Sequence, residues 1–316
     1  MSPVLDRLPI LILQPHNRCN CRCVMCDIWK ITDAQEISAA ELERHMADIE
    51  QLGVEWAVFT GGEPLMHSDL FRLCGMLAAR GIRTTLLSSG LLLARHAARI
   101  VEGIGDVIVS LDGPPQVHNR IRGIPQAFER LAEGVRAIHG IAPDYPIAAR
   151  CTVQSANAAH LRETVQTARE LGLRSISFLA ADLTSTAFNR PLIWPADRQS
   201  AVAPDLDALA REIDSLPEDG FVVESRAKLR RIMEQFRAPT APRCNAPWVS
   251  AVLEPNGDVR PCFFHPPIGN TLQGTLADVV NGPAAVAFRA RLNIAEDPIC
   301  RRCVCSLYRD CDTTAP

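Results

Sequence analysis

The chain has 316 residues, 47% of them hydrophobic, which is enough for one large domain or for a barrel with a small appendage. Its net charge of -3 argues against a nucleic-acid partner, and the sequence contains no run of about 18 apolar residues that would predict a membrane span. The first residues lack the basic region and apolar core of a secretion signal, so we expect a cytoplasmic protein.

Short apolar runs alternate with amphipathic stretches from Ile10 to Ala180, which predicts βαβ units around a parallel sheet. Ser38 and Glu41 have the spacing of a capping box at the first helix. Six repeats fit a partial α/β barrel, and a doubly wound sheet fits almost as well. The predicted strands are Ile10–Leu13, Trp56–Thr60, Thr84–Ser88, Val107–Leu111, Ile147–Val153 and Ser175–Leu179. The predicted helices are Ala39–Gln51, Leu70–Ala79, Leu92–Glu102, Ala127–His139 and Ala159–Leu171.

The repeat pattern ends after Ala180. Prolines interrupt residues 182–204, which predicts a crossover loop or a partial lid. Two helices are expected near Asp205–Leu216 and Glu224–Phe236, and Ala238–Pro242 is typical of a linker.

Twelve cysteines are the anomaly of the composition. Disulfide frameworks are typical of short secreted chains, whereas this chain is long and has no export signal. Cys74 and Cys151 stand alone, and Cys74 is expected to pack in the core. Clustered thiols in a reducing compartment indicate metal sites. The clustered positions are Cys19, Cys21, Cys23, Cys26, Cys244, Cys262, Cys300, Cys303, Cys305 and Cys311.

The first cysteine cluster follows the first predicted strand. Cys19, Cys23 and Cys26 have the spacing C-x3-C-x2-C, and Cys21 falls inside it. Three thiolates can hold three irons of a [4Fe–4S] cluster and leave the fourth iron open, whereas electron-transfer clusters have four protein ligands. The alternative is a zinc knuckle or a disulfide cluster. Zinc needs four ligands, and this stretch supplies only three that are well spaced.

The second cysteine cluster surrounds a predicted hairpin. Apolar runs flank an Asn-Gly turn at 256–257, and the hairpin would return Cys262 towards Cys244. Cys300 and Cys303 form a C-x2-C unit further along the chain. These four thiolates can close a complete site for zinc or for an iron–sulfur cluster.

The first cluster resembles the motif of the radical S-adenosylmethionine (SAM) enzymes. Gly61-Gly62-Glu63-Pro64 at the end of the second strand reinforces the resemblance, although alone it also fits a simple strand-to-helix turn. The resemblance implies that the open iron of a [4Fe–4S] cluster chelates SAM and that reductive cleavage yields a 5′-deoxyadenosyl radical. It implies an α/β fold with a partial (β/α)6 TIM-type barrel, whose functional residues lie at the carboxyl ends of the strands. It also implies that Gly61, Gly62, Glu63 and Pro64 contact the methionine part of SAM.

A second segment strengthens the resemblance. Ser110-Leu111-Asp112-Gly113-Pro114, followed by His118-Asn119-Arg120-Ile121-Arg122-Gly123, resembles the S-L-D-G pattern of radical SAM enzymes with SPASM or twitch extensions. The resemblance implies that Ser110 and Arg122 contact the carboxylate of SAM, which suits a guanidinium fork. Ser88 at the end of the third strand is a further candidate. Asn119 departs from the pattern, which has Asp at that position.

The C-terminal cysteines resemble the twitch/SPASM module through Cys244, Gly257 and Cys262. The resemblance implies one auxiliary [4Fe–4S] cluster, with a zinc ribbon as the alternative. Its predicted ligands are Cys244, Cys262, Cys300 and Cys303, and Cys305 or Cys311 could replace one of them. The predicted domains are a radical SAM partial barrel over 1–181, a helical crossover and linker over 182–241, and a small α+β auxiliary-cluster module over 242–316.

The main functional prediction is a radical SAM oxidoreductase that abstracts hydrogen from a small hydroxylated metabolite, similar to a sugar or an aminocyclitol. Loss of an electron to the auxiliary cluster would make it a dehydrogenase, and return of hydrogen from a thiol would make it an epimerase. We expect a flavodoxin- or ferredoxin-type electron donor, because SAM cleavage is reductive. The oligomeric state cannot be predicted from the sequence.

Two alternatives remain open at this point. The first is a maturase of a ribosomal peptide, because the S-L-D-G segment is common in such enzymes. The position of the first motif at residue 19 argues against it, since it leaves no room for a preceding leader-peptide-binding domain. The second alternative, from another class, is a non-catalytic iron–sulfur or zinc protein.

Overall fold

The computed structural model describes residues 1–187 and 194–310. Pro191, one of the prolines of the predicted crossover loop, and Cys311, a possible auxiliary ligand, lie outside the described residues. The strands are β1 (Ile10–Leu13), β2 (Trp56–Phe59), β3 (Arg83–Ser88), β4 (Asp106–Ser110), β5 (Ile147–Val153), β6 (Ile176–Ala180), β7 (Ser250–Leu253), β8 (Asp258–Arg260) and β9 (Gly269–Asn270). The α-helices are α1 (Ala39–Glu43), α2 (Met46–Gln51), α3 (Leu70–Ala78), α4 (Leu93–Gly103), α5 (Pro115–Arg122), α6 (Ala127–Ile141), α7 (Leu161–Glu170), α8 (Ala196–Val202), α9 (Leu206–Ser215), α10 (Arg226–Arg237), α11 (Ala246–Val249), α12 (Leu276–Val280) and α13 (Pro283–Arg291).

One sheet contains all of these strands in the order β6-β5-β4-β3-β2-β1-β7-β8-β9. Strands β1 to β6 are parallel, and each pairs with the next strand in the sequence. A doubly wound sheet would reverse its order at a switch point, so this consecutive order excludes that alternative. The fold is the predicted partial TIM-type barrel, and its six predicted strands begin and end within one residue of the observed ones.

Alternate residues of each barrel strand have opposite environments. In β2, Ala57 and Phe59 are buried, whereas Trp56 and Val58 are only half-buried. The same alternation occurs in β4 and β6. The buried side of the strands packs beneath the helices, and the half-buried side faces the lumen of the barrel, because side chains point to opposite faces with a period of two. Cys74 lies in the helix-facing core, as predicted.

Strand β7 connects the C-terminal segment to the barrel. It pairs in parallel with β1, with Ile10 opposite Ser250 and Leu13 opposite Leu253. The predicted hairpin follows, because β7 and β8 pair antiparallel around the turn at 256–257. The first strand of the predicted auxiliary module therefore extends the barrel sheet at the edge formed by β1. No local sequence pattern indicated this pairing between distant segments.

Two helix predictions need correction. The stretch Ala39–Gln51 forms two helices, α1 and α2, because the chain turns at Arg44 and His45. The predicted capping box at the start of α1 is confirmed, since Glu41 N donates to Ser38 Oγ (3.2 Å) and Ser38 N donates to Glu41 Oε2 (2.7 Å). Helix α5 was not predicted at all. Among the described residues, no helix is both long enough and apolar enough to cross a membrane.

Candidate active site and auxiliary metal centre

The N-terminal cysteine loop lies between β1 and a short 3₁₀ helix, Ile28–Lys30. Cys19 and Cys26 are half-buried and Cys23 is buried. Two backbone hydrogen bonds attach the loop to the end of α5, from Arg22 N to Arg122 O (2.9 Å) and from Val24 N to Ile121 O (3.1 Å). Helix α5 thus fixes the part of the loop that carries the second predicted ligand.

Two glycines permit this loop to pack closely. A Cβ atom on Gly62 would lie 1.8 Å from the Arg18 carbonyl oxygen, and one on Gly123 would lie 2.5 Å from the Arg22 carbonyl oxygen. Gly123 also has φ of 64° and ends α5, so it occupies the left-handed region that favours glycine. These positions hold the loop against β2 and α5 with no space for a side chain.

The spacing of ligand atoms tests whether the loop fits a cluster or a single zinc ion. Among the described residues, one group of three Cys, His, Asp or Glu side chains has its ligand atoms within 4.8 Å of one another. That group is His265, Asp297 and Cys300. No three thiols of the described N-terminal loop are this close together, although Cys21 contacts both Cys19 and Cys23. The loop supplies thiols as its ligands, and three of them can hold three irons of a [4Fe–4S] cluster.

Cys21 lies between the predicted ligands. It is 2% exposed, and its sulfur makes hydrogen-bonding contacts with those of Cys19 and Cys23. The contact with Cys19, together with burial, raises the pKa of Cys21 to about 12. The loop therefore contains a fourth thiol that is enclosed by its neighbours.

Glu63 is fully buried at the end of β2. Its carboxylate accepts four hydrogen bonds, from Ser89 N (2.6 Å), Ser89 Oγ (2.5 Å), Ser88 Oγ (2.9 Å) and Leu65 N (3.2 Å). Burial raises the pKa of Glu63, and the bonds from Ser89 oppose that rise. A carboxylate has about four acceptor positions, so these four hydrogen bonds use all of them. Ser88, a predicted SAM contact, is likewise buried and directed at Glu63.

The backbone around Glu63 is held from the first strand. His16 is buried, and its Nε2 lies 2.6 Å from the Glu63 carbonyl oxygen. Glu63 N donates to the Arg18 carbonyl oxygen (2.9 Å). His16 had no role in the sequence analysis, and only its position before the cysteine motif could have suggested one. It fixes the turn Gly61-Gly62-Glu63-Pro64 beside the cysteine loop.

Arg122 connects two parts of the site. Its guanidinium forms an ion pair with Asp112 (2.5 Å), which is completely buried, and Nη1 donates to Cys23 Sγ (3.5 Å). Burial acts to lower the pKa of Arg122, but the attraction to Asp112 and Cys23 outweighs it, so the pKa is raised. Arg122 Nε is buried and has no hydrogen-bond partner among the described residues. The fork predicted for the carboxylate of SAM is thus engaged by Asp112 and Cys23, and Nε is the donor that is left over.

Asp112 is held by three further contacts. Its Oδ1 accepts from Thr152 N (2.9 Å), its carbonyl oxygen accepts from Asn157 Nδ2 (2.9 Å), and its N donates to His118 Nδ1 (3.1 Å). Ser110 is half-buried at the carboxyl end of β4, on the lumen-facing side. The S-L-D-G segment thus brings Ser110, Asp112 and Arg122 to one end of the barrel.

The crossover segment packs on the cysteine loop through Asp27. The Asp27 carboxylate accepts from Trp194 Nε1 (3.1 Å), pairs with Arg198 (3.0 Å) and pairs with Lys30 (2.8 Å). Burial acts to raise the pKa of Asp27, but these partners outweigh it and lower the pKa to about 2. Trp194 also packs near Met25. Trp194 and Arg198 therefore attach this segment to the residue that directly follows Cys26, and the partial lid stays a prediction.

A cavity of about 260 Å³ lies between the barrel lumen and the C-terminal segment. Its barrel wall is largely apolar, with Arg150 and Ser177 among its polar residues. Five cysteines line its other side, namely Cys244, Cys262, Cys300, Cys303 and Cys305. The fold thus brings the four predicted auxiliary ligands together, and it adds Cys305 to them.

The cysteines of this second site are half-buried. Burial raises the pKa of Cys262, and it raises the pKa of Cys305 to about 11. Metal ligation requires the thiolate, so the positive charge of bound iron must compensate for burial. Cys300 also belongs to a compact group with His265 and Asp297, whose ligand atoms lie within 4.8 Å of one another, so the second site offers imidazole and carboxylate groups beside its thiols.

Comparisons with known proteins agree with both sites. The Radical SAM superfamily profile matches residues 13–168, and the SPASM profile, described as an iron-sulfur cluster-binding domain, matches residues 244–304. The chain is 26% identical to the PqqA peptide cyclase of Methylocella silvestris over 96% of this chain and 82% of that protein. It is 29% identical to the AdoMet-dependent heme synthase of Methanosarcina barkeri over 49% of this chain and 45% of that protein.

The chain thus spans about half the length of that heme synthase. Its fold is similar to the crystal structure of Streptococcus suis SuiB bound to S-adenosylmethionine, with a TM-score of 0.69 and 15% identity over 96% of this chain and 74% of SuiB. A radical SAM domain with a SPASM domain implies a [4Fe–4S] cluster, SAM and an auxiliary iron–sulfur cluster. These findings remove the non-catalytic alternative: the chain belongs to the radical SAM enzymes and carries a C-terminal SPASM iron–sulfur domain.

Proposed function

We propose that this radical SAM enzyme modifies a peptide. The observation that carries the proposal is the extent of the match to the PqqA peptide cyclase, which includes nearly the whole of this chain and most of the relative. The match to the heme synthase is confined to about half of each protein. These relatives are named for a peptide and for heme, so they favour the peptide alternative over the small hydroxylated metabolite that the sequence analysis put first.

The barrel lumen supports the same choice. Its wall includes Ile12, Val58, Leu87, Ile108 and Leu179, which present hydrocarbon to the cavity. A sugar or cyclitol would bury several hydroxyl groups there, and each would need a hydrogen-bond partner. A peptide side chain can place its apolar part in the lumen while its backbone stays at the opening. The cavity also has polar side chains at Arg150, Ser177 and Glu224, so its lining suits a side chain with an apolar part and a polar end.

The roles of the chain's residues follow from their positions. Cys19, Cys23 and Cys26 would hold the catalytic cluster, and Arg122 Nε with the Gly61–Pro64 turn would hold SAM. When bound, the cluster and SAM supply the hydrogen abstraction. The apolar lumen would orient the substrate side chain and exclude water from it. Electrons would come from a flavodoxin- or ferredoxin-type donor in the cytoplasm.

Deuterium transfer tests the proposal. Anaerobically reconstituted protein is incubated with SAM, dithionite and one of three perdeuterated probes: a peptide digest, a cyclitol mixture or iron coproporphyrin. We expect deuterium in the released 5′-deoxyadenosine only with the peptide digest, together with a modified peptide detected by mass spectrometry. Label from the cyclitols would restore the small-molecule prediction, and label from coproporphyrin would point to tetrapyrrole chemistry.

A further inference from the structure

His265 contacts two of the predicted auxiliary ligands. Its backbone N–H and that of Phe264 donate to the sulfur of Cys262. Its imidazole Nε2 lies 3.3 Å from the sulfur of Cys300, which comes from a segment 35 positions further along the chain. His265 is 3% exposed, so water does not compete for these contacts.

Several neighbours hold the imidazole in place. The ring of Phe288 packs edge-on against it, with ring centroids 4.8 Å apart. Arg260 Nη1 donates to the carbonyl oxygen of His265 (3.1 Å), and Arg260 is itself paired with Glu254 (2.8 Å). Contact with Phe288 therefore fixes the imidazole ring, and the hydrogen bond from Arg260 fixes the backbone of His265.

Asp297 joins the histidine to the turn that carries Cys300. Its Oδ1 accepts from Ile299 N (2.9 Å) and from Cys300 N (2.9 Å), and it lies 3.6 Å from His265 Nε2. One carboxylate thus positions both members of the pair formed by His265 and Cys300.

The direction of the hydrogen bond follows from the chemistry of the ligand. An iron-bound cysteine is a thiolate and carries no hydrogen, so the proton of a Cys300–His265 hydrogen bond must be on Nε2. Hydrogen bonds to cluster sulfurs withdraw electron density, and the reduced cluster, which is more negative, gains more from them. The contact should therefore raise the reduction potential.

We propose that His265 is a positioning residue whose imidazole raises the reduction potential of the auxiliary cluster by donating a hydrogen bond from Nε2 to Cys300, whereas the backbone N–H at this position donates to Cys262 whatever the side chain. The proposal rests on the auxiliary-cluster assignment and not on the identity of the substrate. The second site already has five thiols around one cavity, so the imidazole is not needed to complete a set of four ligands.

Full-length protein with Cys19→Ala, Cys23→Ala and Cys26→Ala isolates the auxiliary cluster and serves as the parent. His265→Phe removes the imidazole donor, His265→Gln restores an N–H near the position of Nε2, and Phe288→Leu loosens the packing while leaving the donor. Each variant is reconstituted anaerobically and titrated with dithionite in the presence of redox mediators, with the reduced cluster followed by EPR and iron measured per chain.

We expect His265→Phe to keep the iron content of the parent and to shift the midpoint to a more negative potential. The ratio of reduced to oxidised cluster at a fixed potential should fall about tenfold, equivalent to about 59 mV for a one-electron couple. His265→Gln should recover most of the shift, and Phe288→Leu should produce little of it.

Three results would overturn the proposal. Loss of iron in His265→Phe would make the histidine a ligand or a folding residue. An unchanged midpoint, or an equal shift in Phe288→Leu, would leave only a packing role. A parent that binds no iron would refute the auxiliary cluster itself, and the deuterium assay would still test the peptide proposal.

Discussion

The two cysteine sites are built in opposite ways. The first takes three thiols from a single loop of eight residues, Cys19–Cys26, which α5 and Gly62 hold in place. The second collects thiols from Cys244 to Cys305 through the pairing of β7 with β1 and of β7 with β8. The first loop has three thiols with the cluster spacing and a fourth, Cys21, between them, whereas the second site has five thiols around one cavity. We propose that the first cluster keeps one iron open for SAM and that the second is closed by protein ligands.

Substitution of single cysteines should distinguish the functions of the two sites most clearly. Cys23→Ala should abolish SAM cleavage, reducing 5′-deoxyadenosine release by at least about a hundredfold, because the catalytic cluster loses a proposed ligand. Cys303→Ala should retain SAM cleavage but lose the modified peptide. Chromatography of 5′-deoxyadenosine and mass spectrometry of the peptide measure the two steps separately.

Cys21→Ala is the matched control for the first site. It removes a buried thiol from the same loop, yet it should keep the iron content and SAM cleavage of the parent, because Cys21 is not a proposed ligand. If Cys21→Ala were as inactive as Cys23→Ala, the assignment of the three ligands would have to change.

The ion pair behind the first site should give the next largest effect. Arg122→Met leaves Asp112 buried without its cation, which should lower the free energy of unfolding by about 3–5 kcal/mol. It should also raise the KM for SAM, because the free Nε donor is lost. Urea unfolding and SAM-dependent kinetics are the measurements.

Two further variants control for the change at Arg122. Arg122→Met combined with Asp112→Asn should recover part of the stability but none of the affinity for SAM. Arg120→Ala, on the exposed side of the same helix, should change neither quantity. A stable Arg122→Met protein with unchanged KM would remove Arg122 from the site.

The close packing of the cysteine loop predicts a smaller loss. Gly62→Ala would place a methyl group on the Arg18 carbonyl, so the backbone must move, at a cost of about 1–3 kcal/mol. Gly75→Ala on α3 is the matched control, since a Cβ there meets no atom within 4 Å, and it should be neutral or stabilise by up to about 1 kcal/mol. Thermal unfolding and iron content distinguish the two. Equal effects would show that the loop can relax away from β2.

The same contrast explains what the sequence could reveal. The cysteine loop and the six barrel strands are local patterns, so spacing and alternation predicted them. The pairing of β7 with β1 and the contact of His265 with Cys300 join residues far apart in the chain. Such contacts depend on the assembled fold, and a single sequence carries no signal for them. Asp27 follows Cys26 directly, but its partners Trp194 and Arg198 lie 167 and 171 positions further along the chain, so the sequence gives no signal for these contacts.

The smallest expected effect concerns the capping box, which begins one helix in each region. Ser38 with Glu41 begins α1 near the first site, and Thr275 with Asp278 begins α12 near the second, each as a capping box. Ser38→Ala and Thr275→Ala should each cost about 1 kcal/mol in urea unfolding, because each removes an acceptor for a helix N–H. A much larger loss at one site would show that its metal centre depends on the cap.

The pH dependence of Glu41 refines this last prediction. Hydrogen bonds from Ser38 lower the pKa of Glu41 below its ordinary value of 4.5. The stability gained from ionised Glu41 should therefore be fully present above pH 4.5 and be lost as the pH falls through the lowered pKa. The difference in free energy of unfolding between the parent and Glu41→Gln should shrink over that range. A difference that stayed constant with pH would mean that the charge of Glu41 contributes nothing, and that the cap acts through Ser38 alone.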